Sequence, residues 1–188
     1  MPDLPLVTLQ RLVGALEEIH VPYAVIGGVA VSLRSVPRFT TDVDAVIWVG
    51  ESGWDSLLSH LTNHGLKARA SDPIGFARHN RLLLLTDEDE VEIDLSFGAL
   101  PFEEDMVRNA ESIEISPGLT ASIATAEALV VMKAIAWRPK DQLDIRELVS
   151  INPDRNWSSV VTAFAEYAEL LEVSERIEDL RQLIQDSL

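Results

Sequence analysis

The chain of 188 residues is 47% hydrophobic and 24% charged and contains no cysteine, which describes a globular protein that builds a core without disulfides or thiolate-bound zinc. Its formal charge of −16 opposes broad nonspecific binding to nucleic acid, since phosphate contacts come from Lys and Arg, but leaves room for a local basic pocket. The opening MPDLPLVTLQ lacks a basic region followed by an apolar core, and VIGGVAVSL and LVVMKAIAW are too short to span a bilayer. A cytoplasmic protein without signal peptide or membrane partner is therefore expected.

Thr8 to His20 carries Leu9, Leu12, Val13, Leu16 and Ile19 at helical spacing, and His20-Val21-Pro22 ends that helix. Tyr23 to Ile26 is a short apolar strand, followed by a Gly27-Gly28 turn and a short helix over Val29 to Ser35 that stops before Pro37. The spacing then predicts a strand over Asp42 to Val49 and a helix over Trp54 to Asn63 closed by Gly65. His60 and His64, four apart on that helix, read as an exposed polar edge. Arg81 to Thr86 is a buried strand, and Glu90 to Phe97 alternates, with Val91, Ile93 and Leu95 on one face and Glu92, Asp94 and Ser96 on the other. Asp87 and Asp89 fall in the turn between these strands, where solvation is the default. Ser112 to Ile115 and Leu119 to Ile123 suggest a hairpin around Pro117-Gly118.

From Thr125 the pattern is helical only. Ala126 to Trp137 is apolar nearly all round, Arg138-Pro139 breaks it, and Lys140 to Ser150, Trp157 to Glu172 and Ser174 to Ser187 follow as further helices. A boundary near Ala124 is expected, with an α/β (α+β) domain over 1–124 and a helical subdomain over 125–188 packed on it. Most of the acids cluster in DEDEVEID and on the C-terminal helices; a solvated face is the plain explanation, and a basic partner the sharper one.

The chemistry concentrates in YAVIGGVAVSLRSVPRFTTDVDAVIWV, Tyr23 to Val49. In Asp42-Val43-Asp44 two carboxylates sit two apart, a spacing that points both to one face of a strand. Acids so placed repel unless a cation lies between them, and hard oxygen ligands suit Mg²⁺ or Mn²⁺. Gly27 and Gly28 let backbone N–H groups approach a phosphate closely. Asp-x-Asp alone is a weak signal, since such pairs are mostly solvated turn or strand-end residues. Following a strand, a Gly-Gly turn, a short helix and Arg38-x-Thr40, it reads as phosphoryl or nucleotidyl transfer. Such chemistry needs a third carboxylate from a neighbouring strand on the same face; Asp94 fits, with Glu92 as the alternative. Arg38 can pair with phosphate or with an acid of the site, and Thr40 can hydrogen-bond phosphate or cap the turn.

This stretch resembles the nucleotidyltransferase superfamily that shares the polymerase-β palm, whose motifs are the hydrophobic-Gly-Gly/Ser turn and the Asp-x-Asp/Glu pair. GGVAV and RFTTDVD are most similar to the branch of AbiEii-type toxins and minimal nucleotidyltransferases. Many members carry Ser where this chain has Gly28, which removes one hydroxyl contact to phosphate. A second resemblance lies in AEALVVMKAIAWRPKDQLDIREL, where the AbiEii pattern of helical Lys, Arg, Lys/Arg-Asp and a further Asp falls on Lys133, Arg138, Lys140, Asp141 and Asp144. Lys133 interrupts an apolar helix, and its ammonium needs an anion. The triphosphate is its natural partner, and an acid such as Asp141 the structural alternative. Asp141 and Asp144 fit a helix–helix junction better than a metal site.

The resemblance implies a mixed sheet flanked by helices and an NTP-dependent enzyme that moves an NMP unit to an acceptor and releases pyrophosphate. Asp42, Asp44 and Asp94 would be the catalytic and metal-binding acids, for Mg²⁺ or Mn²⁺. Gly27, Gly28, Arg38, Thr40, Lys133 and Arg138 would bind the nucleotide. Resemblance to toxins implies a tRNA 3′ end or a protein side chain as acceptor, and a cognate toxin–antitoxin partner. An antibiotic-modifying enzyme is the small-molecule alternative, with an acidic cleft suited to a cationic drug. A non-catalytic, antitoxin-like interaction module on the same fold is the third reading.

Overall fold

The apolar runs of the N-terminal two thirds become the strands of one seven-stranded mixed sheet in the computed structural model, which describes residues 5–188. The start of the segment read for a targeting signal, residues 1–4, lies outside the described residues. The chain forms two units. The first comprises the described residues up to Ala30 and Arg38–Ala124, and the second comprises Val31–Pro37 and Thr125–Leu188.

In the first unit α1 (Leu6–Glu18) leads to β1 (Tyr23–Val25), and α2 (Gly27–Arg34) to β2 (Val43–Ile47). Then come α3 (Trp54–Asn63), β3 (Lys67–Ala68), α4 (Pro73–Asn80), β4 (Leu82–Thr86), β5 (Glu92–Phe97), α5 (Pro101–Arg108), β6 (Glu111–Ser116) and β7 (Leu119–Ile123). The strand order is β3-β4-β5-β2-β1-β7-β6, with β2/β5 and β1/β7 parallel and the other neighbours antiparallel. The period-two pattern seen in the sequence sets the register. Leu85, Ile93 and Val43 form one cross-strand row and Leu83, Leu95 and Ala45 another, all buried. At the far end of β5, Phe97 stacks on Trp54 with ring centroids 3.9 Å apart, and the Arg81 guanidinium lies over the indole at 5.2 Å.

Three short elements were not visible in the apolar pattern. β3 has only two residues. α4 opens on a recognisable start, with Asp72 accepting the Gly75 N–H at 2.9 Å and Pro73 in the first turn, but carries little amphipathic signal. In α5, Pro101 opens the helix and the Glu103 carboxylate accepts the Ala99 and Leu100 N–H groups at 2.8 and 2.9 Å.

The second unit holds α6 (Ala126–Ala136), α7 (Pro139–Ile151), α8 (Trp157–Ala168) and α9 (Arg176–Gln185). Thr125 and Asn156 cap α6 and α8 through their side-chain oxygens. Trp137, in the left-handed conformation at φ 55°, ends α6 before Pro139 starts α7. Leu129, Val130, Ile145, Leu148, Phe164 and Leu180 are buried in this unit. Asn152 Nδ2 donates to Arg34 O at 3.0 Å, which ties the 31–37 segment into it. No described helix is long and apolar enough to cross a membrane.

One acid departs from expectation. Asp87 is buried rather than solvated, because its carboxylate serves as the acceptor around which the β4–β5 turn and α1 are fastened. It accepts the Thr8 hydroxyl at 2.5 Å and the Asp89 and Val91 N–H groups at 3.0 and 3.1 Å. Burial pushes its carboxyl up, but these hydrogen bonds and the Arg11 charge outweigh burial and hold it below the ordinary value. Its stabilisation is thus fully present above the unfolded-state pKa of about 4 and is lost as pH falls through the lower folded value. Asp87→Ala should cost about 2–4 kcal/mol at neutral pH, with the gap from wild type closing on acidification, as urea unfolding at a series of pH values would show.

Candidate active site

Parallel pairing of β2 with β5 sets Asp44 opposite Asp94 and Val43 opposite Ile93. Paired residues of parallel strands point the same way, so Asp44 and Asp94 stand side by side on the face turned away from Val43 and Ile93. Asp42, two residues earlier and just ahead of β2, is exposed at the same edge, while Asp44 and Asp94 are half-buried. Burial raises the Asp94 carboxyl above its ordinary value; the Arg69 charge works against this, and the charges of Glu92 and Asp42 add to it.

Arg69 is the residue that the sequence pattern did not single out. The Arg69 N–H donates to Leu84 O at 2.9 Å, Leu84 pairs with Asp94, and Asp94 with Asp44, so the four lie along one row across the sheet. From the edge of that row the Arg69 guanidinium donates to Asp94 Oδ1 and lies 3.1 Å from Glu92 Oε1. The only signal available was an Arg one position beyond a strand of two residues, too short to establish a phase.

Among the described residues, the one trio of acids and imidazoles with ligand atoms within 4.8 Å of each other is Glu18, His60 and His64. Its geometry is accounted for by hydrogen bonds: His64 Nε2 to Glu18 at 2.9 Å, His64 Nδ1 to His60 O at 3.0 Å, and His60 Nε2 to Ala15 O at 2.9 Å. Asp44 and Asp94 share a face with Asp42 just ahead of the strand, and the three do not form such a trio among the described residues. The donor set nevertheless fits a hard divalent cation, being all carboxylate oxygen; burial, with the charges of Glu92 and Asp42 added, leaves Asp94 raised even beside a guanidinium.

The glycines are shaped by these acids. Gly27 has φ +60°, and a Cβ there would overlap the Asp44 carboxylate, 2.6 Å from its Cγ. A Cβ on Gly28 would overlap the Thr40 hydroxyl. Thr40 is buried and donates to Asp42 Oδ1 at 2.8 Å. Instead of forming a turn ahead of the helix, Gly27 and Gly28 are its first residues. The helical ladder starts with Ala30 N–H to Ile26 O at 3.3 Å, so the amides of Gly27, Gly28 and Val29 precede it, where helix N-termini present N–H groups to anions. Arg38 is half-buried in the loop before Thr40.

The other two residues expected at the nucleotide, Lys133 and Arg138, meet on a carboxylate of their own unit. Lys133 Nζ lies 2.9 Å from Asp141 Oδ1 and 2.8 Å from Asp144 Oδ2, and both acids are buried. Arg138 donates to Asp141 through Nε at 2.7 Å and through its backbone N–H at 3.0 Å. The acid named as the alternative partner of Lys133 is thus in place, joined by Asp144. Burial pushes the Asp141 carboxyl up, but the hydrogen bonds from Arg138 and Lys133 prevail and hold it below the ordinary range.

Solved structures sharing this fold include nucleotidyltransferases and a nucleotidyltransferase-like protein. They include an antigenic nucleotidyltransferase-like protein from Paracoccidioides brasiliensis, with 19% identity, a TM-score of 0.54 and 91% of either chain covered. The antibiotic-resistance factor ANT(2'')-Ia has 15% identity and a TM-score of 0.57 over 92% of this chain and 96% of its own. The lincosamide antibiotic adenylyltransferase LnuA has 16% identity and a TM-score of 0.55 over 76% of this chain and 95% of its own. At these identities the likeness is one of fold. No relative was found among curated proteins. The sequence profile described as nucleotidyl transferase AbiEii toxin, type IV TA system, matches residues 10–187, and the chain belongs to that family of nucleotidyltransferases.

Replacing Arg69 with Gln should raise the Asp94 carboxyl further, since the one cation that counters its burial is removed; a carboxyl ¹³C titration followed by NMR should show the midpoint moving to higher pH. Lys133→Met should lower stability by about 3–5 kcal/mol, because Asp141 and Asp144 lose their buried cation. Urea unfolding measures that loss, and unchanged stability with weakened nucleotide binding would return the lysine to phosphate.

Proposed function

We propose that the protein is a metal-dependent nucleotidyltransferase that moves an NMP unit from an NTP to a macromolecular acceptor, a tRNA 3′ end or a protein side chain. The observation that carries the reading is the in-register pairing of Asp44 with Asp94, with Asp42 at the same edge. Asp42 and Asp44 hold the metal, and Asp94 completes the site. Mg²⁺ or Mn²⁺ supplies charge neutralisation of the triphosphate. The acceptor hydroxyl gives its proton to Asp94, the acid that stands opposite Asp44 on the neighbouring strand. The acceptor oxygen bonds to the α-phosphorus, the α–β bridging P–O bond breaks, and pyrophosphate leaves. Arg69 must give up Asp94 Oδ1 for this to happen.

On the nucleotide side, the amides at Gly27 and Gly28 receive phosphate, with Arg38 as the cationic side chain of that unit and Thr40 beside the acids. Lys133 serves by setting Asp141 under Arg138. A toxin–antitoxin context, the subject of the family's own description, adds a cognate partner to this proposal, and a charge of −16 makes a basic surface the fitting one.

Transfer to a small cationic antibiotic is the second reading. It is favoured by the acidic composition and by the fold shared with the antibiotic-resistance factor ANT(2'')-Ia and the lincosamide antibiotic adenylyltransferase LnuA. A non-catalytic module is disfavoured, because such a module has no need of three acids on one edge.

Incubation with each labelled NTP, Mg²⁺ and, in parallel, total tRNA, cell protein or an aminoglycoside separates these readings by which acceptor carries label. Asp44→Asn should reduce transfer by about 100-fold or more while leaving the metal-free melting temperature unchanged or higher, since it removes a metal ligand and a like-charge repulsion together. Full turnover in that variant would end the metal-site reading.

A further inference from the structure

We infer that Thr40 is a positioning residue for Asp42, and that position 28 is glycine because the Thr40 hydroxyl occupies the space where a side chain at 28 would begin. The inference rests on the metal-dependent reading above and extends it to a residue that bonds one of the metal-site acids.

Asp42 lies ahead of β2, which begins at Val43, and is exposed, so neither the strand ladder nor packing fixes its carboxylate. What holds it is one hydrogen bond, from Thr40 Oγ1 to Asp42 Oδ1 at 2.8 Å. Thr40 itself is only 7% exposed, and as a β-branched residue it has few side-chain rotamers, so its hydroxyl has a fixed place. A donor that fixes one carboxylate oxygen leaves the other to aim at a cation, which is how outer groups orient metal ligands.

Space at this point is limiting. A Cβ on Gly28 would overlap Thr40 Oγ1, lie 3.0 Å from Thr40 Cβ and 3.7 Å from its Cγ2. The hydroxyl therefore rests against the Cα of residue 28. In motifs with Ser as the second residue the helix side carries the hydroxyl; here the loop side carries it, and a side chain at 28 would force Thr40 to shift. Gly28 and Thr40 form a matched pair, and the Gly28 departure relocates a hydroxyl rather than losing it.

The test uses the full chain with Mn²⁺ as the probe, its dissociation constant read by electron paramagnetic resonance, and melting temperatures recorded without metal. Thr40→Val keeps the shape and removes the donor, so it should weaken Mn²⁺ binding about 10-fold with little change in melting temperature, while Thr40→Ser should bind as wild type. Gly28→Ser should lower both the melting temperature and Mn²⁺ affinity, and the double variant Gly28→Ser with Thr40→Ala should regain both. Wild-type Mn²⁺ affinity in Thr40→Val overturns the positioning role. A double variant no better than Gly28→Ser alone overturns the matched pair. Absence of Mn²⁺ binding to the wild-type chain overturns the metal reading and the positioning role with it, while the metal-free melting temperatures still decide the pairing of 28 with 40.

Discussion

Like charges held side by side are the constraint on which the rest of this sheet depends. Parallel pairing of β2 and β5 brings Asp44 and Asp94 onto neighbouring strands, which run about 4.8 Å apart. Two carboxylates at such a separation repel by about 3 kcal/mol at an effective dielectric constant of 20. That arrangement persists only because the opposite face leaves no alternative. Val43, Ala45, Ile93 and Leu95 are fully buried, and a slip of one residue would turn them out to water and the acids into the core. The hydrophobic face thus does the work of holding charge where charge does not want to be.

Four half-buried or exposed cations among the described residues are met by acids of their own unit. Arg69 spans Glu92 and Asp94 on the open face of the sheet, Arg11 serves Asp87 and Glu88, and Lys133 and Arg138 converge on Asp141. The outcomes differ in sign. Asp141 and Asp87 sit among enough donors to be held below the ordinary carboxylate range, whereas Asp94 remains above it. The first two are fastenings. Asp94 is the acid with unmet demand for positive charge, and it lies on the row that carries Asp44.

Much of this was legible in the sequence, and the reasons are specific. The alternation of Glu92 to Phe97 fixed both the existence of β5 and the face of Asp94, because a period of two has one solution when half of the residues are Ile, Leu and Phe. The Pro117-Gly118 hairpin and α3 follow from equally strong local signals. Arg69 was invisible because β3 spans two residues, and its place is dictated by register with β4 rather than by its own neighbours. Asp87 was misjudged because a turn acid is solvated by default, and only the arrival of Thr8, 79 residues away, makes it a buried acceptor. The Gly28 departure read as a loss because the compensating hydroxyl approaches from a loop whose path no pattern describes.

The discontinuous second unit bears on how the chain reaches its fold. Residues 31–37 leave the ribosome early, yet the rest of their unit begins at Thr125, and the Asn152 side chain that bonds Arg34 lies 118 residues downstream. A helical unit built from neighbours in sequence would fold quickly, since rates rise with local contacts. This one must instead close a loop containing most of the sheet, at an entropic cost that grows only logarithmically with length but has to be met before α6 to α9 are complete. The first unit is complete in sequence by Ala124 and can form before the helices are made, so the helical unit should be the last part of the chain to gain protection from hydrogen exchange.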